Sequence, residues 1–384
     1  MKRSKRVVVY YLAILAVLLF AFFTNDFNLV NVQKTAIVTA IGIDKENEEF
    51  SLTAIIANPA SEGSGEQSGQ GGQGGQSKNS ADGFTTIRGK GGTIAEALED
   101  INAKTGWYPK LIFCRLLVLG EELCKGNVFE ALDYFLRSEY AADDPLLAAT
   151  DGKASEVLNA KPPLKAAISE AVEKVLSDQS KRVGAVLTNS LRSFAVSYFS
   201  AGASGYMPLL KKQTEDSGDV FNASETALFI DGHRVGTLNK EDTFALACVK
   251  NPLRLASYMV ESGGVENSLV VKQNTRKIRL LFSEEEPKIK IELTVYADLT
   301  DVADSQNLQE LSGRKQQRAV YTAAAKSLTE QIERMFERCR ESEFDAFDAI
   351  GKLQKFENNR YPNLKDSLIE RLQLDVSVRF KPIR

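Results

Sequence analysis

The sequence has 384 residues, of which 43% are hydrophobic and 26% charged, with a formal net charge of −3. This composition predicts a globular protein of two or three domains and excludes a wholly disordered or collagen-like chain. The near-neutral charge argues against an overall basic surface for nucleic acid. A single histidine and four scattered cysteines leave few side chains for a metal site or a histidine-based catalytic centre, so composition favours a protein that binds or assembles.

The first predicted element is a membrane anchor. Four positive charges within the first six residues precede an uncharged apolar run, Val7 to Phe23. As a helix this run would extend about 26 Å, close to the lower limit for crossing a bilayer. No small-x-small cleavage site follows it, and the first cysteine is Cys114, so no lipid-attachment site follows either. We therefore predict an uncleaved single-pass anchor with the chain from about residue 25 outside the cytoplasm; a cleaved signal peptide is the alternative.

Two β-rich runs, 35–43 and 50–57, come next and are separated by a polar turn at 44–49, which predicts a hairpin. The segment 61–83 is rich in glycine and has no large apolar residue, so it is predicted to be a flexible coil. It is either an interdomain linker or a long hairpin loop, because a further short strand is predicted at 84–91.

The following part predicts alternating strands and helices, the order typical of an α/β layer. Thr93 is the predicted N-cap of a helix whose apolar face carries Ile94, Ala97, Leu98 and Ile101. The apolar run 111–119 predicts a buried central strand. The remaining predictions are an amphipathic helix at 127–138, a strand at 145–150, and helices at 153–160, 163–177 and 183–199.

The last third predicts strands with one long helix. Asp231-Gly232 indicates a type I′ hairpin within 225–238, and a helix is predicted at 240–249. Successive strands are predicted at 267–273, 275–282 and 287–300, followed by a helix at 314–341. Apolar and polar residues alternate at 372–380, which predicts a half-buried strand of an antiparallel sheet.

Known catalytic patterns are missing from the sequence. Gly89-Lys90 does not fit the phosphate-loop pattern, and the glycines at 69–75 lack the strand and helix that a cofactor cradle needs. His233 has no histidine partner and follows a predicted turn. Asp143-Asp144 and the acidic run 284–286 lie beside turns and are interpreted as solvated. A pair of carboxylates distant in sequence stays open, because glycosidase-like pairs need not be close along the chain.

The cysteines are interpreted as buried, unreactive thiols, although a disulfide outside the cell stays open. Their spacing does not match that of zinc ligands, since the four are Cys114, Cys124, Cys248 and Cys339. We therefore assign no catalytic, cofactor-binding or metal-ligating residue and predict no cofactor; ligand-binding residues stay unassigned.

Several segments together resemble the C subunit of spore germinant receptors, the Ger(x)C family. Each motif is weak alone, but their order and spacing cover the chain from about 34 to 383. They are AIVTAIGID (36–44), GGTIAEALEDI (91–101), the block 111–140, ALFIDGHRVGTLNKED (227–242), and FDAIGKLQKFENNRYPNLK (347–365) followed by LQLDVSVRF. Because that family carries a variable loop at this point in its first domain, the resemblance favours the loop interpretation of 61–83.

The chain also departs from that family. Members are usually lipoproteins with a cysteine closing the signal peptide, and here the resemblance implies that a transmembrane anchor replaces the lipid. The family often has a histidine near Cys114 and a tryptophan near Leu364, and both are absent here.

The resemblance implies a mixed α/β (α+β) fold in which the anchor (1–24) is followed by three sheet-and-helix domains at 25–182, 183–262 and 263–384. It implies a non-enzymatic subunit on the outer face of the spore inner membrane, where the host forms spores. Its partners would be a multi-span A-type and a B-type membrane subunit, which together detect small nutrients; direct germinant binding stays open. The alternative is a membrane-anchored envelope enzyme, such as a peptidoglycan hydrolase that uses carboxylates.

Overall fold

The computed structural model describes residues 11–17, 35–57, 84–163, 167–283, 285–302 and 314–383. A short helix, α1 (11–17), lies within the apolar run predicted as the anchor, and the rest of that run lies outside the described residues. None of the helices in the described ranges is long and apolar enough to cross a membrane. The glycine-rich segment 61–83 also lies outside the described residues.

The strands are β1 (Thr35–Glu46), β2 (Glu49–Ala57), β3 (Phe84–Gly91), β4 (Tyr108–Lys110), β5 (Leu116–Leu119), β6 (Leu146–Ala149), β7 (Asn189–Ser190), β8 (Ser204–Glu215), β9 (Gly218–Ile230), β10 (His233–Leu238), β11 (Ala256–Ser262), β12 (Val265–Leu281), β13 (Lys288–Val302) and β14 (Gln373–Lys381). The further helices are α2 (Ile94–Thr105), α3 (Glu121–Lys125), α4 (Phe129–Arg137), α5 (Ala154–Leu158), α6 (Ile168–Val175), α7 (Asp178–Arg182), α8 (Leu191–Tyr198), α9 (Lys240–Lys250), α10 (Arg314–Glu341), α11 (Ala349–Phe356), α12 (Tyr361–Leu364) and α13 (Leu368–Arg371).

The first sheet has ten strands and helices on both faces. Eight of its strands follow the order β10-β9-β8-β6-β5-β1-β2-β3, while β4 pairs with β1 and β7 with β6. Successive residues of β5 enter opposite cores, as expected for a central strand covered on both sides. Leu117 and Leu119 pack with α2, α4 and α8. Leu116 and Val118 pack with α5 and α6 on the other face.

The strands that flank the glycine-rich segment are antiparallel neighbours. β2 pairs with β3 from Phe50 opposite Gly91 to Ala57 opposite Phe84. The two strands therefore belong to one sheet, as the loop interpretation of 61–83 expects. The mixed α/β class is confirmed. The division into three domains stays a prediction, and β8–β10 from the predicted middle domain join the same sheet as β1–β6.

Two predicted elements of this first part are wrong in extent. The run 111–119 is not one strand, because Leu111–Phe113 form a 3₁₀ turn before β5 begins at Leu116. The apolar run suggested a continuous buried strand, but Ile112 and Phe113 are exposed. The helix predicted at 183–199 covers only Leu191–Tyr198, because the Ser190 hydroxyl accepts the Ser193 amide and begins the helix there.

The hairpin predicted at Asp231-Gly232 is confirmed. β9 and β10 are antiparallel neighbours, and His233 lies opposite Ile230 in the register. Asp231 has φ 47° and Gly232 has φ 77°, so both turn residues are left-handed, as a type I′ turn requires.

The second sheet has the order β11-β12-β13-β14 and one covered face. The closing strand is a correction to the prediction, because β14 pairs parallel to β13 rather than antiparallel. A parallel neighbour needs a crossover connection, and the 28-residue helix α10 lies within the segment that joins the two strands. Inward residues of β13, among them Ile291 and Leu293, form one core with Leu328 and Ile332 of α10.

The predicted strands 267–273 and 275–282 are a single strand, β12, and the strand β11 was missed. The apparent break at Asn274 is a buried polar residue within the strand. Its side-chain oxygen accepts the Leu253 amide at 2.7 Å, and its nitrogen donates to the carbonyls of Cys248 and Asn251. Asn274 thereby satisfies the backbone at the end of α9, which a local pattern does not reveal.

Candidate functional site

A small polar cavity of about 140 Å³ lies where the C-terminal part of the chain contacts the first sheet. Its walls come from α8, from the start of β8, from the end of α9 and from the loop before α11. The lining residues are Val196, Ser197, Ser200, Gly202, Ser204, Tyr206, Lys250, Asp345 and Asp348. We call it the Lys250 cavity.

Asp345 fixes the C-terminal wall of the Lys250 cavity. Its buried carboxylate accepts the backbone amides of Ala349 and Ile350, both at 2.8 Å, and that of Phe347 at 3.2 Å. The bonds to Ala349 and Ile350 satisfy amide groups in the first turn of α11, where no other backbone acceptor is available, and the bond to Phe347 holds the loop before it. The Asp345 amide in turn donates to the Ser204 hydroxyl at 3.2 Å, which joins this loop to β8.

Lys250 supplies the cation of the cavity. It is half-buried at the last position of α9, and its Nζ lies 4.7 Å from the centre of the Tyr206 ring. In the described part of the chain, no hydrogen bond or ion pair is made by this ammonium. Burial disfavours the charged form and lowers the pKa of Lys250 to about 8, although the negative charge of Asp345 opposes the shift.

Asp348 carries the second carboxylate, in a left-handed backbone conformation with φ 53°. Burial raises its pKa, and the nearby charge of Asp345 raises it further. The cavity therefore combines one cation, two carboxylates, serine hydroxyls and an aromatic face. These groups can hold a small polar molecule that carries both charges, and nothing in them forms a nucleophile activated by a base.

His233 lies away from this cavity. It is exposed at the start of β10, and its Nδ1 is 3.0 Å from the carbonyl oxygen of Asp231 in the hairpin turn. The described residues contain no group of three His, Cys, Asp or Glu side chains placed to hold a metal ion.

The prediction of buried thiols is confirmed, since all four cysteines are buried and free. Burial raises the pKa of each thiol, to about 12 for Cys114, Cys124 and Cys339, and raises that of Cys248 as well. A thiol with so high a pKa is protonated at neutral pH and is a poor nucleophile.

The other singled-out residues have structural contacts. Gly89 lies in β3, where a Cβ atom would come within 2.1 Å of the Ala97 carbonyl oxygen, so glycine permits the close approach of α2. Asp144 accepts the Arg192 amide at 3.0 Å near the start of α8. Glu285 and Glu286 are exposed, while residue 284 lies outside the described ranges.

Asp44 is a residue that the sequence assigned to a turn and that the structure buries. The turn is confined to residues 47–48, and the Asp44 carboxylate accepts the amides of Ala154 at 2.7 Å and Ser155 at 3.0 Å. It thus caps α5 from a strand 110 residues earlier. The signal in the sequence was an acidic residue that follows the apolar run 36–43 without a break.

Comparison with protein families decides the relationship. The family profile described as the spore germination protein N-terminal domain matches residues 28–212, and that described as spore germination B3/GerAC-like, C-terminal, matches residues 224–384. The chain belongs to the Ger(x)C family of spore germination proteins. The Lys250 cavity of this Ger(x)C chain draws residues from both matched regions.

A solved structure agrees with this at the level of the fold. The crystal structure of the GerBC protein superposes with a TM-score of 0.51 at 17% identity, covering 90% of this chain and 97% of that one. No curated protein matches the sequence. The two family matches confirm the Ger(x)C resemblance expected from the sequence and give the protein a role in spore germination.

Proposed function

We propose that this protein is a non-catalytic subunit of a membrane germinant receptor, which contributes to assembly or signalling in response to small nutrients. Its partners in this proposal are a multi-span A-type and a B-type membrane subunit. The observation that supports it is the ordered match of two spore germination domains over residues 28–212 and 224–384.

The apolar run Val7–Phe23 gives this subunit its place in the proposal. An anchor would hold the folded part on the outer face of the membrane and confine it to the plane in which integral partners lie. Confinement raises the effective concentration of each partner, so contacts too weak to persist in solution can be populated. To influence a receptor, the subunit must contact two receptor states with different free energies.

The Lys250 cavity is consistent with a binding role. It is small, polar and closed by a loop that one buried carboxylate holds in place, whereas an enzyme that cleaves glycans needs an open cleft around a pair of carboxylates. Asp345 is committed to three backbone amides and is not available as a general acid or base.

The test is recovery of partners from detergent-solubilised spore membranes with the tagged full-length chain. We expect a multi-span membrane protein to co-purify, identified by mass spectrometry. A matched variant replaces residues 1–30 with an unrelated cleavable secretion signal. Loss of the partner from this variant would show that tethering matters, and retention would place the contact in the folded part.

A full-length preparation that brings no integral membrane protein would contradict the proposal. In that case hydrolysis of purified peptidoglycan by the same preparation is the next assay, because the proposed subunit should show none.

A further inference from the structure

Five apolar side chains are exposed together at one end of the first sheet. They are Trp107, Tyr108, Ile112, Phe113 and Tyr140, each between 40% and 66% exposed. We call this set the aromatic patch. Grouped exposed apolar residues mark interaction surfaces, and the two tyrosines and the tryptophan in this set can also form hydrogen bonds at the ring edge.

The backbone joins these residues into one surface. Trp107 directly precedes β4, which begins at Tyr108, and the 3₁₀ turn Leu111–Phe113 follows the strand. The loop that carries Tyr140 is attached to this turn, because the Ala142 amide donates to the Leu111 carbonyl at 3.1 Å. Tyr108 and Tyr140 also line one cleft of about 120 Å³.

The patch lies beside the start of β1. β4 pairs parallel to β1, with Tyr108 opposite Thr35 and Lys110 opposite Ile37. The apolar run ends at Phe23, so only residues 24–34 separate it from Thr35. Even fully extended, this connection spans no more than about 40 Å. The patch therefore lies beside the strand into which the apolar run leads.

The chemistry of the patch suits the boundary between lipid headgroups and acyl chains. Tryptophan and tyrosine concentrate at that level, because the ring is apolar and its edge forms hydrogen bonds. Two ion pairs lie on the neighbouring helices, Lys104 with Asp100 at 2.5 Å and Arg137 with Asp133 at 2.6 Å. Within the segments that carry the patch, the formal charges of Lys110 and Glu139 are opposite. Attraction to anionic lipid is thus a minor contribution, and burial of apolar surface is the main one.

We propose that the aromatic patch rests in the lipid headgroup region and fixes the orientation of the folded part on the membrane. This rests on the proposed function, since it requires the anchor. Because the anchor already confines the chain to the surface, a shallow contact by five side chains is sufficient to select one orientation. The outer face of the second sheet and the Lys250 cavity would then be positioned reproducibly relative to the bilayer.

Trp107 is the only tryptophan in the chain and reports the contact directly. The full-length protein is reconstituted into phosphatidylcholine vesicles with either ordinary or brominated acyl chains, and vesicle flotation confirms that it is membrane-bound. We expect brominated lipid to remove about half of the Trp107 emission, as for a ring at the acyl boundary, and acrylamide in the buffer to quench it less than in detergent.

A matched control places the tryptophan at a site outside the aromatic patch. The double variant Trp107→Phe, Phe356→Trp places the single tryptophan on α11, where Phe356 is 68% exposed. We expect it to float equally well and to be quenched by acrylamide but not by brominated lipid. A second variant, Phe113→Ser with Tyr140→Ser, keeps Trp107 and alters only exposed side chains. We expect its quenching by brominated lipid to fall by about half or more, because the patch loses apolar area.

The outcomes separate this proposal from the proposed function. A protein that floats while Trp107 stays open to acrylamide and untouched by brominated lipid would overturn the lipid contact alone, and would assign the patch to a protein partner. A protein that does not float would overturn the anchor, and the lipid contact with it. Equal quenching of Trp107 and of the α11 probe would show that the folded part has no fixed orientation, which also contradicts the proposal.

Discussion

The two sheets bury their residues in different ways. The first is covered by helices on both faces, so neighbouring residues of β5 enter opposite cores. The second is covered on one face only, and along β13 the buried Ile289, Ile291 and Leu293 alternate with the more exposed Lys290 and Glu292. In a strand covered on both faces every side chain is buried, so each position is sensitive to substitution. In a strand covered on one face every second side chain is more exposed and tolerates substitution better.

The largest expected effect is a cavity in the first sheet. Leu117→Ala removes a fully buried side chain at its centre and should lower the free energy of opening of that sheet by about 2–5 kcal/mol. Val376→Ala on the half-buried β14 should cost only about 1 kcal/mol. Hydrogen exchange measured by mass spectrometry reports each sheet separately. Equal losses of opening free energy in the two variants would contradict the expected difference between the two sheets.

A smaller effect is expected from the carboxylates that hold helices. Asp345→Ala leaves three amides without their acceptor and should cost about 2–3 kcal/mol, measured as faster exchange in α11. Asp44→Ala should likewise loosen α5, by about 2 kcal/mol, because two buried amides lose their partner. Asp366→Ala, at an exposed carboxylate, is the control and should change exchange little. Unchanged exchange in α11 of the Asp345 variant would contradict its capping role.

Substitution of Lys250, in the Lys250 cavity, should raise stability rather than lower it. Its pKa of about 8 lies below the ordinary value of 10.5, so the folded state disfavours its charge at neutral pH. Lys250→Met keeps most of the apolar stem and should raise the free energy of unfolding by about 1–2 kcal/mol at pH 7. Between about pH 8 and 10.5 the native protein gains stability as the pH rises, because the unfolded chain binds the extra proton, so the advantage of the variant should fade.

The control for that prediction is Lys326→Met, at a largely exposed lysine of α10, which should change stability little at any pH. Thermal unfolding at pH 7 and pH 10 measures both variants. A Lys250 variant that is less stable than the native chain at pH 7 would indicate that the ammonium makes a favourable contact that outweighs its burial.

The smallest effect is expected at His233. Because this side chain is exposed and contacts only its own turn, His233→Ala should change stability by less than about 0.5 kcal/mol and should leave co-purification of partners unchanged. Loss of the partner from this variant would assign His233 to an interface and would change the view of the β9–β10 hairpin.

Local signals predicted much of the fold. Thr93 begins α2 as expected, Asp231-Gly232 forms the turn, and the long helix occupies residues 314–341. Each of these depends on residues within a few positions of one another. The parallel pairing of β14 was missed, because an alternating strand looks the same whether its neighbour is parallel or antiparallel.

The candidate site was not predicted, because its residues come from segments that are far apart in the sequence. Lys250, Asp345 and Ser204 come from three separate segments, and none stands out in its own surroundings. Asp345 is one of 51 acidic residues, and only the fold shows that its carboxylate is fully engaged with backbone amides. Placement of that kind depends on tertiary contacts, which no local pattern contains.

The parallel pairing of β13 with β14 has a consequence for how the chain folds. The paired residues Lys288 and Gln373 are 85 positions apart, so β13 is made long before its last neighbour exists. Until then one row of its backbone groups is unpaired, which is the kind of edge on which other chains add strands. Closing so distant a contact is slow, and the incomplete sheet is the species most exposed to aggregation during biogenesis.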